Sequence, residues 1–178
     1  MYVFILLLGV IQIYTGIIGL KTDLVSEYPG KNDFTLDMFG WKQAREKFTK
    51  FLVKEGISGS DHRQLAIVSD NWFPAAHLDY YIAHPLNIKL IALGDIERIH
   101  KYYWINKTRK LNETNRIFYL TDSRNYHGPE EFASCFTKII PKDTLIIDRN
   151  RKAVKYIFIY DMVDFKCDTI LNSTHPRF

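Results

Sequence analysis

The stretch Gln64-Leu65-Ala66-Ile67-Val68-Ser69-Asp70-Asn71-Trp72-Phe73-Pro74-Ala75-Ala76 reads as a short buried strand that feeds directly into a helix. Leu65 to Val68 are apolar without polar alternation, so both faces of this strand have to be covered. Asp70 or Asn71 can cap a helix that begins at Trp72 and runs to about residue 83, with Pro74 tolerated in its first turn. The unit recurs downstream. Residues 88–93 form a second compact apolar strand ended by Gly94, followed by a predicted helix over 95–105 and a third strand over 116–120. Upstream, Met38, Trp41, Ala44, Phe48, Phe51 and Leu52 recur at three- and four-residue steps from Asp37 onward, the period of an amphipathic helix that Gly56 can terminate. A short helix over 130–136 opened by Pro129, and strands over 144–147 and 156–160, complete the series. Helices alternating with short apolar strands predict a small three-layer α/β domain with a mainly parallel sheet.

The whole chain has 178 residues and 21.0 kDa, enough for one ordinary domain and an accessory segment. Hydrophobic residues make up 47% and aromatic residues 15%, which excludes a disordered chain. The surplus of 24 Lys and Arg over 20 Asp and Glu, +4, is too small for a protein organised around phosphate contacts, and nucleic acid is not an expected partner. The distribution of charge says more than its total, because no charged residue precedes Lys21. Residues 2–20, YVFILLLGVIQIYTGIIGL, would extend about 28 Å as a helix, close to the roughly 30 Å of a bilayer's hydrocarbon core. The expected organisation is therefore a transmembrane helix over 2–20, a juxtamembrane linker over 21–33, an α/β domain over 34–165 and a tail over 166–178. A cleaved signal peptide fits less well, since no charged region precedes the apolar run and no A-x-A site follows it. A chain that opens at the first apolar residue is expected to be a piece of a longer membrane protein.

Searches for chemistry are mostly negative. Neither G-x-G-x-x-G nor G-x-x-x-x-G-K-[ST] occurs, so no dinucleotide site or P-loop is expected. No D-x-D pair is present to hold a metal-bound nucleotide sugar, and Gly56-Ile57-Ser58-Gly59 lacks the spacing of a nucleophile elbow. No cofactor and no metal are expected. His77 and Asp79 lie two residues apart and, with Asp70 at a strand's carboxyl end, form a candidate acid, base or ligand cluster; residues two apart point to different sides of a helix, which favours a cap and a solvated face instead. The run His100 to Lys110, HKYYWINKTRK, interleaves aromatic and basic residues without a partner patch, as an amphipathic helix with a solvated or membrane-facing side would. N-x-[ST] sequons begin at Asn106, Asn112 and Asn172, where chance predicts roughly one. Cys135 and Cys167 can pair outside the cytoplasm, and their separation leaves open whether they meet.

Thr35-Leu36-Asp37-Met38-Phe39-Gly40-Trp41-Lys42-Gln43 before a helix, then Ile67-Val68-Ser69-Asp70-Asn71-Trp72-Phe73-Pro74-Ala75-Ala76 and Asp79-Tyr80-Tyr81, resemble the carboxyl-terminal region of bacterial family 39 type glycosyltransferases. These are GT-C membrane enzymes related to dolichyl-phosphate-mannose protein mannosyltransferases and to lipid A aminoarabinose transferases. The resemblance spans roughly residues 1 to 165, and its most specific piece is the T-L-D-M-F-G-W block. It implies a small α/β domain on the extracytoplasmic side of a membrane, behind a bundle of helices that moves a sugar from a polyprenyl-phosphate donor. The acidic loop that carries catalysis in such enzymes has no counterpart here, so no catalytic residue is carried over. Where many relatives have an Arg-rich segment containing Asn, Gln and Tyr, this chain has Leu93-Gly94-Asp95 and then Ile99 to Trp104, and only the glycine and one tyrosine align.

The expected role is positioning of an acceptor glycan or lipid, or of the donor head group, over the mouth of the bundle, with the bilayer as a partner. Asp70, Asn71, Trp72, Asp95 and Tyr102 are the candidate binding residues, with His77 as a lesser one, because an indole can stack on a sugar ring while Asp and Asn bond its hydroxyls. The alternative is a membrane-anchored binding or scaffold domain without catalysis.

Overall fold

A computed structural model describes residues 2–17, 28–109, 111, 114 and 116–167. The chain folds around a five-stranded sheet of β1 (Leu65–Ser69), β2 (Lys89–Ala92), β3 (Arg116–Asp122), β4 (Phe136–Arg149) and β5 (Lys152–Phe165), in the order β2-β1-β3-β5-β4. β1 runs parallel to both β2 and β3, and all five of its residues are buried, as its unbroken apolar run requires. The sheet is nevertheless mixed rather than mainly parallel. The short strands expected at 144–147 and 156–160 lie within two 14-residue strands, and β5 is antiparallel to both β3 and β4. The turn between them is Asn150-Arg151, both at positive φ (53° and 63°), the backbone of a two-residue hairpin loop. Its dipeptide lacks the glycine that usually announces such a turn.

A second correction concerns the amino terminus. α1 covers Tyr2–Thr15, 14 residues, and Gly16 follows it in the left-handed conformation at φ 59°, a standard way to stop a helix. At 1.5 Å per residue α1 is about 21 Å long. No helix among the described residues is long and apolar enough to cross a membrane. The expected span over 2–20 is thus cut short by a glycine inside the apolar run, and its last three residues lie outside the described set, as do 21–27 of the expected linker and 168–178 of the tail. The described end of the linker belongs to the fold. Tyr28 stacks on Tyr126 with ring centroids 4.3 Å apart, and Asp33 is buried.

α2 covers Trp41–Lys54 and begins four residues later than its periodicity suggests, because Phe34–Asp37 winds instead into a 3-10 turn. Asp33 caps that turn by accepting from the Thr35 backbone at 3.0 Å. Gly40 then takes φ 85° against Ile147, whose side chain would lie 2.3 Å from a Cβ at this position. α3 (Trp72–Leu78) is capped by the Asn71 side chain, which accepts from Phe73 N at 3.2 Å. A π-helical turn over Asp79–Ala83 and α4 (His84–Leu86) continue it. The helix expected over 95–105 is broken into α5 (Ile96–Ile99) and α6 (Tyr102–Ile105), with His100 between them at φ 49°.

Alternation along the strands sorts the core into two faces. Ile67, Phe118, Leu120, Leu145, Ile157 and Ile159 meet α2 and α3 through Ala44, Phe48, Phe51, Leu52, Ala75 and Leu78. The opposite face, with Ala66, Val68, Tyr119 and Met162, is covered by the 3-10 segment Pro129–Cys135 and by Phe136. The disulfide Cys135–Cys167 ties that cover to the residues after β5. Both sheet edges are held by carboxamides. Gln43 accepts from Asp148 N at 2.7 Å and donates to Asp148 O at 3.3 Å on β4, while Asn106 accepts from Ala92 N at 3.3 Å and donates to Ala92 O at 2.6 Å on β2.

Lys155, on β5, has no exposed surface. Its ammonium donates to the carbonyls of Leu36 at 2.9 Å and Phe39 at 2.8 Å and lies 4.1 Å from the centre of the Trp41 ring. Burial pulls its pKa down to about 8, against the attraction of Asp122 and Asp37. Lys155→Met leaves two carbonyls without their donor, and an expected loss of about 2–4 kcal/mol is measurable by urea denaturation. Because the amine binds its proton less tightly folded than unfolded, the stability of the natural chain relative to Lys155→Met should rise as pH increases from about 8 toward the ordinary lysine value near 10.5. Reducing Cys135–Cys167, which closes a loop of 32 residues, should lower the unfolding free energy by about 3–4 kcal/mol in the same assay.

Candidate functional site

From β1 the chain moves to β2 on one side and then returns past β1 to β3 on the other, so the connections diverge at the carboxyl ends of β1 and β3. Open α/β sheets bind ligands at such a divergence. Asp70, Asn71 and Trp72 leave β1 there, and Gly94 and Asp95 follow β2 alongside. Gly94, at φ 145°, approaches so closely that a Cβ would lie 3.3 Å from the Asp70 carbonyl oxygen.

Asp70 is 1% exposed, and its carboxylate is fully engaged. It accepts from the Arg98 guanidinium, from the Tyr119 hydroxyl at 3.1 Å, and faces His127 Nδ1 at 3.1 Å. Arg98, from α5, also grips Glu131 at 2.8 Å and 3.3 Å, and this pairing raises its pKa. Burial, reinforced by the charge of Asp70, pushes the Tyr119 hydroxyl far above its usual range and keeps it a donor. The outcome is a closed polar network that pins α5 and the Pro129–Cys135 segment to the end of β1.

The outer rim is different. Trp72 is 43% exposed, and its ring lies 5.4 Å from the exposed imidazole of His100. Asn71 is half-buried, with its oxygen committed to the α3 cap. Asp95 is exposed, and its side chain makes no capping bond although it stands at the start of α5. Trp72 and His100 pair into an open shelf of indole and imidazole at the end of the sheet where Asn71 follows β1 and Asp95 follows β2. Clefts of about 320 Å³ between α2 and β4 and about 560 Å³ at the amino end of β3 lie away from it. Among the described residues no group of three or more His, Cys, Asp or Glu could hold a metal ion.

The remaining two predicted residues are elsewhere. His77 stacks on Trp41 at 4.9 Å with planes 4° apart and touches the rings of Phe73 and Tyr81. Burial, aided by the charge of Lys155, lowers its pKa. Tyr102 is buried near the β2 edge, its hydroxyl donating to Asp79 at 3.3 Å, and the surrounding protein raises its pKa. Asp79 also accepts from Arg109 at 2.8 Å. The cluster of Asp70, His77 and Asp79 suggested by spacing therefore does not form. Asn106 is 1% exposed, which makes its sequon a structural amide, whereas Asn112 and Asn172 lie outside the described residues.

Arg98, Tyr119, His127 and Glu131 escape sequence reasoning. Each stands 28 or more positions from Asp70, and no local pattern marks them. Asp70→Asn should cost about 1–3 kcal/mol by weakening the buried bonds from Arg98 and Tyr119, while Trp72→Ala, on the exposed shelf, should change stability by no more than about 1 kcal/mol. Urea denaturation of the two variants separates the structural part of the site from the open part.

Compared with protein-family models, with curated proteins and with solved structures, the chain matches none of the three.

Proposed function

We propose that the shelf of Trp72 and His100, together with Asn71 and Asp95 at the same end of the sheet, binds a sugar, and that the domain positions an acceptor or a donor head group for a polyprenyl-phosphate-sugar-dependent membrane glycosyltransferase on the extracytoplasmic side. The exposed indole of Trp72 carries this reading. A saccharide presents one face of C–H groups that lies well on an indole, while its rim of hydroxyls needs a nearby acceptor such as Asp95. The reading assigns no catalytic step to this chain. Asp70, the most deeply placed carboxylate, spends its oxygens on Arg98, Tyr119 and His127 and has none to offer a substrate. The disulfide Cys135–Cys167 supports an oxidising compartment. The resemblance of the T-L-D-M-F-G-W block supports the transferase setting.

Titration of the full chain with a panel of methyl glycosides of hexoses and of aminoarabinose, followed through the indole N–H signals in NMR, tests the reading. A shift of the Trp72 signal at about millimolar sugar is expected. Trp72→Ala should abolish binding and Asp95→Ala should weaken it several-fold, whereas Trp104→Ala, which removes another exposed indole, should leave it unchanged. Affinity that survives Trp72→Ala, or no binding by any member of the panel, overturns the proposal.

A further inference from the structure

α1 presents apolar side chains in every direction. Tyr2, Val3, Phe4, Ile5, Leu6, Leu7 and Leu8 are 80%, 80%, 63%, 56%, 70%, 55% and 49% exposed. At about 100° per residue, seven consecutive positions sweep almost two full turns. A protein partner or a second copy of this chain covers one stripe of a helix and leaves the rest in water. A helix apolar all round is covered either by several surrounding helices or by a fluid apolar phase, and the exposed cations Lys31, Arg151 and Lys152 at the base of this one favour lipid. The apolar surface continues at the foot of α1, where Ile17, Phe34 and Met38 are 75%, 66% and 56% exposed.

The foot is clamped to the domain. Arg149, 10% exposed in its side chain, donates to Ile13 O at 3.4 Å, to Thr35 Oγ1 at 3.1 Å and to Asp33 at 2.6 Å. Asn150 donates to Thr15 O at 2.7 Å, which satisfies a carbonyl at the end of the helix. Gly16 makes room for this, since a Cβ there would lie 2.6 Å from the Arg149 guanidinium. Arg149 and Asn150 sit at the tip of the β4–β5 hairpin, and β5 is antiparallel to β3, with Ile157 opposite Asp122. The tip therefore projects past the carboxyl end of β3, the same edge of the sheet that bears the Trp72 shelf. Exposed Lys31, Arg151 and Lys152 surround it.

We infer that α1, with Ile17, Phe34 and Met38 at its foot, sinks into one leaflet of an anionic lipid bilayer without crossing it, and that the Arg149 clamp turns the carboxyl edge of the sheet toward that lipid surface. A helix about 10 Å across fits within a leaflet of about 15 Å of hydrocarbon. The cations of the hairpin tip and Lys31 then meet the head groups, where each strengthens binding several-fold on an anionic surface. The orientation deepens the sugar-binding proposal, because it places the shelf where a lipid-linked saccharide would present its head group. Lipid binding itself stands without that reading.

Flotation of the full chain with vesicles of phosphatidylcholine, alone or mixed with phosphatidylglycerol at about three to one, tests the insertion. Binding to both is expected, and several-fold stronger binding to the anionic vesicles. Leu6→Gln with Leu7→Gln should abolish it on both, with the thermal unfolding of the domain unchanged, and Arg151→Gln with Lys152→Gln should erase the anionic preference. In the bound state, quenching of indole fluorescence by head-group spin-labelled lipid should fall about twofold or more in Trp72→Phe, which reads the facing edge. Binding that survives the double Leu substitution, vesicle binding replaced by a concentration-dependent dimer in light scattering, or quenching indifferent to Trp72→Phe overturns the inference. Sugar titration of the Leu6→Gln, Leu7→Gln variant tests the shelf apart from lipid binding, so that failure of one leaves the other standing.

Discussion

A lysine ammonium stripped of all its water has to find oxygen or ring electrons inside the protein, and Lys155 finds both. Its three partners, the carbonyls of Leu36 and Phe39 and the ring of Trp41, belong to one short segment that would otherwise be a loop over the end of the sheet. The segment is thereby fastened to β5. Three contacts near the carboxyl edge lean on it: Asp37 receives Arg124 from the end of β3, Asp33 receives Arg149 from the hairpin tip, and Trp41 supports the half-buried His77. A buried charge is expensive unless its partners are well placed. Here the partners are mostly backbone, so the requirement falls on chain conformation, including the left-handed Gly40 that turns the segment into α2.

Much of this is visible in the order of residues. The unbroken apolar runs at Leu65 to Val68 and around Leu90 to Ala92 announce buried strands, and Asp70-Asn71 ahead of Trp72 announces a cap that Asn71 supplies, because each signal is local. Pairing direction is not local. The apolar cores of β4 and β5 look like those of β1, and the Asn150-Arg151 turn that makes them antiparallel depends on two residues accepting positive φ without a glycine. The reach of the first helix is overestimated from sequence for a related reason. Hydropathy counts Gly16 as neutral, whereas the backbone uses it to stop α1.

The site divides along the same line. Asn71 and Trp72 can be placed from the strand–cap–helix pattern, and they do stand at the carboxyl end of β1. Which carboxylate is free to meet a ligand is not legible in that pattern, since it depends on Arg98, Tyr119 and His127 arriving from distant parts of the chain to saturate Asp70. The exposed Asp95, by contrast, is spared because its helix has no use for its side chain as a cap. Polar groups of one type thus split into a sealed set that holds the loops and an open set that faces outward.

The matched carboxamides at the two margins of the sheet have a consequence for how such molecules behave in company. A bare outer strand is a template on which another chain can add a strand of its own. Gln43, reaching β4 from α2, and Asn106, reaching β2 from the turn after α6, each occupy both the donor and the acceptor of one outward-facing residue, and Lys47 and Arg109 take the neighbouring carbonyls of Ile146 and Leu90. At these positions, where β2 ends and β4 nears its hairpin, the ladder offers a second copy no free group on which to continue it.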